Sequence, residues 1–146
     1  MNVLVDTCIW SFALRRDASP ENAHHVSELR KLISDQHVQM IGPVRQELLS
    51  GIRKKSQFEQ LKSHLRAFPD IELEMEDYEF AAEYFNTLRA KGIQGSNTDF
   101  LICAVSVRRE IPIYTVDGDF SLYAKYLAIE LYEGSRSLAG SRLEKK

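Results

Sequence analysis

Five carboxylates carry the chemistry this sequence could do: Asp6, Glu47, Asp99, Asp117 and Asp119. Each alone has an ordinary structural job. Asp6 could cap the helix that follows it, Asp99 suits a helix N-terminus, and Glu47 reads as a solvated helix residue. Asp117 and Asp119 are natural turn and N-cap residues. Together they say more, because the surrounding elements would bring them to one edge of a sheet. Two carboxylates about 4 Å apart repel by ~4 kcal/mol at an effective dielectric constant of about 20. Four such groups cannot all stay ionised without a counter-charge, so either some take up protons or a divalent cation binds. Hard oxygen ligands without His or Cys favour Mg2+ or Mn2+ over Zn2+. Such ions keep several waters, activate one as a nucleophile and grip phosphate oxygens. The chemistry implied is hydrolysis of a phosphodiester.

The elements that must position these acids alternate between strand and helix. Residues 2–6 are a β-branched run ending in Asp6, as a buried parallel strand would. Residues 7–16 have helical spacing. Ser19 and Pro20 then cap and open a second helix, marked by Val26, Leu29, Leu32 and Ile33. Residues 38–41 read as a strand, and Gly42-Pro43 opens the helix that bears Glu47. A helix over 55–68, a strand-like stretch at 71–73 and a strong helix over 76–91 follow, with Gly92 as its C′ residue. Ser96, Asn97 and Thr98 offer caps for a helix over 99–109. Residues 113–116 form a strand, 117–119 a turn, 120–125 a short helix and 128–132 a last strand. Residues 134–146 read as a loose tail. Residues 1–133 are thus expected to form one three-layer α/β/α domain with a mostly parallel central sheet. Ligands of such sheets gather beyond the carboxyl ends of the strands, where Asp6 and Asp117 fall.

Composition narrows the choice. With 146 residues, 44% hydrophobic and 27% charged, the chain is one globular domain rather than a disordered one. A net charge of -2 excludes a wholesale basic clamp for nucleic acid, though not a local basic patch. The thiols Cys8 and Cys103 are too few for a disulfide framework and read as reduced, which suits the cytoplasm. No apolar stretch approaches about 18 residues, so no membrane span is expected. The N-terminus lacks a basic region, and Asp6 interrupts its apolar run, so no signal peptide is expected.

Four segments resemble one family. They are Val3-Leu4-Val5-Asp6-Thr7-Cys8-Ile9-Trp10, Gly42 to Gly51 with Glu47-Leu48, Thr98-Asp99-Phe100-Leu101-Ile102-Cys103-Ala104, and Ile113-Tyr114-Thr115-Val116-Asp117-Gly118-Asp119-Phe120. In this order, over residues 1–133, they resemble PIN-domain ribonucleases, specifically VapC-type toxins of toxin–antitoxin pairs. The resemblance implies a PIN-like fold and metal-dependent endonucleolytic cleavage of RNA. It assigns Asp6, Glu47, Asp99 and a fourth acid to the metal centre. Asp6 and Asp99 would be ligands of Mg2+ or Mn2+, Glu47 would act partly through water, and Thr115 would steady the centre through its hydroxyl. The segment from Thr115 to Phe120 is one residue shorter than in many relatives. That leaves Asp117 and Asp119 as alternatives for the fourth acid, with Asp117 favoured and Asp119 near the site or capping the next helix. The resemblance further implies an inhibitory antitoxin partner, a homodimer, and contact with operator DNA only through the antitoxin.

An acidic protein that cuts RNA needs local cations. Arg45, Arg53, Lys54 and Lys55 flank the Glu47 helix and could reach an RNA backbone; otherwise they are a solvated face. Arg89 with Lys91, and Arg108 with Arg109, are further basic clusters. Tyr78, Tyr84, Tyr123, Tyr126 and Tyr132 could stack bases but read better as half-buried packing residues. His24, His25, His37 and His64 show no metal spacing and read as surface residues, and Trp10 reads as core or dimer interface. A Cys-dependent phosphatase is disfavoured because Arg15 follows Cys8 after six residues, with no glycine between. An aspartyl-phosphate enzyme would want a second Asp where Cys8 stands. The alternative from another class is a non-catalytic PIN-fold regulatory or RNA-binding module.

Overall fold

Val3, Leu4 and Val5 are all fully buried. They form β1 (Val3–Val5). Successive side chains of a strand point to opposite faces, so a strand buried at every residue is covered on both sides. A computed structural model of the chain describes residues 1–14 and 20–133 and shows how this is done. β1 lies between β2 (Val38–Gln39) and β3 (Ile113–Tyr114), parallel to both. The helices fall into two packed groups. α1 (Thr7–Leu14) packs on α2 (Ala23–Ser34) and α3 (Gly42–Leu49), and α3 packs on α4 (Lys55–Leu65). α5 (Met75–Arg89) packs along α6 (Asn97–Arg109), which contacts β3, and α7 (Gly118–Tyr123) follows β3. The expected α/β class with a parallel sheet is what forms.

The register positions the site. Leu4 pairs with Ile113, and Val5 with Tyr114. Tyr114 turns toward α2, where its hydroxyl lies 2.8 Å from His25 Nδ1. Carried past the strand ends, the same alternation puts Asp6 and Thr115 on the opposite face, and there the Thr115 hydroxyl donates to Asp6 Oδ2 at 2.8 Å.

The sheet edges are shorter than expected. The stretch at 71–73 forms no strand and only the residue before it makes a single parallel bridge, Met40 to Asp70, while 128–132 leaves the single bridge Ile113 to Leu131. Pro69 on one side and the Glu74 cap of α5 on the other leave the first no room to extend. β2 and β3 are also trimmed, because Gly42-Pro43 turns the chain into α3 and Asp117 caps α7. Pro20 opens a short 3-10 turn (Pro20–Asn22) rather than the α-helix itself. Arg15, Arg16, Ser19 and the tail at 134–146 lie outside the described residues.

Two aromatic expectations resolve. Trp10 is core, edge-on to Phe68 with centroids 5.0 Å apart. His25 is not a surface residue. It is buried and stacked on Phe12, and burial lowers its pKa, with the neighbouring His24 acting in the same direction.

A charge clamp closes the α5–α6 pair. The Asp77 side chain is fully buried, and its Oδ1 accepts from Nη1 of both Arg108 and Arg109 at 2.7 Å. Its Oδ2 accepts from Arg109 Nη2 at 3.0 Å and from the Glu74 amide at 2.8 Å. This basic pair is therefore committed to structure. Burial alone would raise the pKa of Asp77, but the donors from Arg109, Glu74 and Arg108 outweigh it and hold it at about 2. Asp77→Ala is expected to cost ~3 kcal/mol, since it takes from two guanidinium groups their closest, buried carboxylate and leaves them only the longer contacts to Glu74 and Glu76. With the folded pKa depressed from 3.8 to about 2, the clamp contributes fully above about pH 5 and is lost as pH falls toward about 2. Urea unfolding of wild type and variant across that range should show the two stabilities converging at the acid end.

Candidate active site

Asp6 follows the central strand and leads into α1, with only 6% of its surface exposed. Its backbone carbonyl accepts from the amides of Ile9 and Trp10, so it does cap the helix. Its side chain is held separately. Oδ1 accepts from the Thr7 amide at 2.8 Å, and Oδ2 accepts from the Thr115 hydroxyl at 2.8 Å and the Cys8 thiol at 3.5 Å. Burial raises the pKa of Asp6, the Thr115 and Thr7 hydrogen bonds oppose that, and the charge of Asp99 raises it further. The two expected ligands thus feel one another.

Asp99 lies in the first turn of α6. Its amide donates to Ser96 Oγ at 3.0 Å, which makes Ser96 the N-cap, as expected. Its carboxylate accepts from the Tyr123 hydroxyl at 3.0 Å. Burial raises its pKa, hydrogen bonds from Tyr123 and Ser96 oppose that, and the charge of Asp117 adds to the rise. Asp117 is exposed and caps α7: its Oδ1 accepts from the Asp119 amide at 2.9 Å, while its own amide donates to Thr115 Oγ1 at 3.0 Å. Asp119 is exposed in the first turn of α7, and its charge is felt at Tyr123. Glu47, on α3, accepts from the Thr7 hydroxyl at 3.1 Å. Thr7 therefore links Glu47 to Asp6, and Thr115 links Asp6 to the Asp117 turn.

The expected acids are thus brought to one edge of the sheet, beyond the ends of β1 and β3. The donor set is hard oxygen and anionic, and Asp6 is buried without a cation among its hydrogen-bond partners, so its chemistry suits Mg2+ or Mn2+. Among the described residues, no three His, Cys, Asp or Glu side chains stand close enough to cage an ion by themselves. The basic residues divide. Arg53, Lys54 and Lys55 are exposed in the turn that opens α4. Arg45 instead points at the end of α4, where Nε donates to Asp70 at 3.0 Å, Nη1 to the Leu65 carbonyl at 3.0 Å and Nη2 to the Phe68 carbonyl. It satisfies carbonyls at and beyond the end of the helix, so its guanidinium is already engaged within the fold.

A family model for the PIN domain matches residues 3–126. The chain belongs to the PIN domain family. Solved structures agree on the fold. FitAcB from Neisseria gonorrhoeae superposes with a TM-score of 0.71 at 17% identity, covering 90% of this chain and 97% of that one. VapBC2 from Rickettsia felis, bound to a DNA fragment from their promoter, gives 0.72 at 19% identity over 90% and 98%. FitAB bound to an IR36 DNA fragment gives 0.69 at 18% identity over 92% and 96%. No curated protein matches the sequence.

Three residues of this PIN domain's site are not legible as such in the sequence. Thr7 and Cys8 lie beside Asp6 in the chain, but their partners depend on where α3 and β3 come to rest. Tyr123 reads as packing, and its ring is indeed fully buried, yet its hydroxyl reaches Asp99. The one signal available is that a hydroxyl buried in a core requires a partner.

The raised pKa of Asp6 makes the metal-free site a liability at neutral pH. A carboxyl whose folded pKa lies above its unfolded value destabilises the fold when ionised, and that penalty fades as pH falls through the folded pKa. Asp6→Asn is accordingly expected to raise the melting temperature of metal-free protein at neutral pH, by about 3 °C for each kcal/mol relieved. Mn2+ is expected to raise the melting temperature of the wild type but not that of the variant. Thermal melts with and without Mn2+ read both effects.

Proposed function

We propose that this PIN domain is a metal-dependent endoribonuclease, the toxin of a toxin–antitoxin pair that inhibits translation. The observation that supports the reading is that Thr7 and Thr115 link Asp6, Glu47 and Asp117 beyond the ends of the central strands, while the charge of Asp99 is felt at Asp6. PIN domains are typically nucleases, and the fold is shared with toxin–antitoxin complexes. Asp6 and Asp99 would hold Mg2+ or Mn2+, Glu47 would act partly through water, and Asp117 would supply the fourth charge in preference to Asp119, a reading supported by its charge acting on Asp99. When bound, the cation supplies an activated water and takes up charge on a phosphate oxygen. The chain's own residues do the rest. Thr115 fixes the Asp6 carboxylate from β3, Thr7 fixes both Asp6 and Glu47 from the start of α1, and Ser96 fixes the first turn of α6.

Arg53, Lys54 and Lys55 supply phosphate contacts on the RNA. The partners of this reading are an antitoxin protein and a second copy of the chain, with operator DNA met only through the antitoxin. The free thiols Cys8 and Cys103 accord with a cytoplasmic protein. Among the described residues, no helix is long and apolar enough to cross a membrane.

The deciding experiment is cleavage of total cellular RNA by antitoxin-free protein with Mg2+, Mn2+ or EDTA, beside Asp6→Asn purified identically. Discrete products that require metal and fall by at least about a hundredfold in the variant are expected. Equal activity in both proteins would mean contamination. An inert protein that still binds RNA or an antitoxin would support a regulatory PIN module instead. Lys54→Glu with Lys55→Glu is expected to weaken RNA binding and to flatten its salt dependence, by roughly one unit of slope for each phosphate that is no longer neutralised. Binding isotherms at several salt concentrations read both changes.

A further inference from the structure

We infer that Tyr123 is a positioning residue for Asp99, and that Gly95 is the glycine that lets it reach. The inference rests on the proposed function, in which Asp99 holds the cation. The Tyr123 ring is fully buried and wedged between Phe100 and Phe120, with centroids 5.1 and 5.3 Å away. A ring held from two sides aims its hydroxyl in a fixed direction. That hydroxyl lies 3.0 Å from Asp99 Oδ2 and 3.5 Å from the Gln94 carbonyl, so the carboxylate is the closer acceptor.

The approach is tight enough to exclude a side chain. A Cβ on Gly95 would stand 2.3 Å from the Tyr123 hydroxyl and 2.8 Å from the Phe100 ring. The backbone between α5 and α6 thus closes over the hydroxyl at the one residue where no Cβ blocks it. A role in packing alone would be met by phenylalanine, without the cost of burying a hydroxyl.

The chemistry suits a cation ligand. Tyrosine is a neutral donor at physiological pH. It orients the carboxylate without cancelling the charge that a cation needs, as an arginine or lysine would. α7 also begins at the Asp117 cap, so one short helix fixes Asp117 at its start and, through Tyr123, Asp99 from its end.

The test is Mn2+ binding to RNA-free protein, read from free Mn2+ by electron paramagnetic resonance, with circular dichroism to confirm folding. Tyr123→Phe is expected to weaken Mn2+ affinity by roughly tenfold, the scale seen when a partner of a metal ligand is removed. The Mn2+ concentration for half-maximal RNA cleavage should rise by the same factor, while the rate at saturating Mn2+ changes little. A variant with a lower melting temperature but unchanged Mn2+ affinity would overturn the inference while leaving the nuclease reading intact. A wild type that binds no Mn2+ would sink both. If Tyr123→Phe does not fold, the wild type suffices: with ring-labelled tyrosine, Mg2+ must shift the NMR resonance of Tyr123 more than those of Tyr78 or Tyr84. An unmoved Tyr123 resonance would equally overturn the inference.

Discussion

A carboxylate buried at the end of the central strand is the constraint around which the rest of this fold is arranged. Asp6 is nearly out of solvent and has no cation among its hydrogen-bond partners. Desolvating an ionised carboxyl is costly unless donors or a metal compensate. The donors come from different parts of the chain: the Thr7 amide from α1, the Cys8 thiol one residue on, and the Thr115 hydroxyl from beyond β3. Meeting that requirement fixes the relative register of β1 and β3, and with it the turn that places Asp117. The pKa of Asp6 remains raised, so the donors compensate only in part and the site favours a positive ligand.

Asp99 faces a different problem, because it comes from a helix rather than a strand. Its location depends on where α6 begins and how that helix is held. Ser96 fixes the start, and the Asp77 clamp fixes the other end against α5. The clamp sits at the far end of α6 from Asp99, and it is charged where the site is not neutralised. A buried ion pair adds little net stability over apolar packing, but losing one partner is expensive. The clamp therefore works as a constraint on registry between α5 and α6, and that registry sets where Asp99 lies relative to Asp6.

Much of this is legible in the sequence, for identifiable reasons. The helices that carry Glu47 and Asp99 are marked by Gly42-Pro43 and Ser96, local signals that act within a few residues. β1 is marked by a short, valine-rich apolar run, as a strand covered on both faces requires. What escapes depends on distance in the chain. The edge strands shrink to single bridges because neighbouring turns take their residues. Arg45 sits two residues from Glu47 and so looks like part of the site, but α4 ends beside it with carbonyls to satisfy. Tyr123 looks like packing because nothing near it in the chain discloses that Gly95 and Asp99 lie against its hydroxyl. His25 likewise owes its burial to Tyr114, far along the chain.

The charges of the molecule are sorted by purpose. Among the described residues, the hydrogen bonds to the site's acids come from neutral groups: amides of Thr7 and Asp119, hydroxyls of Thr7, Thr115 and Tyr123, the thiol of Cys8, and Ser96. The arginines with paired guanidinium groups are spent elsewhere, Arg45 on Asp70 and the end of α4, Arg108 and Arg109 on Asp77. An arginine at the site would have stabilised the metal-free fold better than any of those hydroxyls, since charge-assisted hydrogen bonds are about twice as strong as neutral ones. It would also have occupied the place of a cation and removed the reason for one to bind. A fold that orients its acids with neutral donors and keeps its fixed cations at the structural joints gives up some stability at the site in exchange for a negative charge that an exchangeable cation can answer.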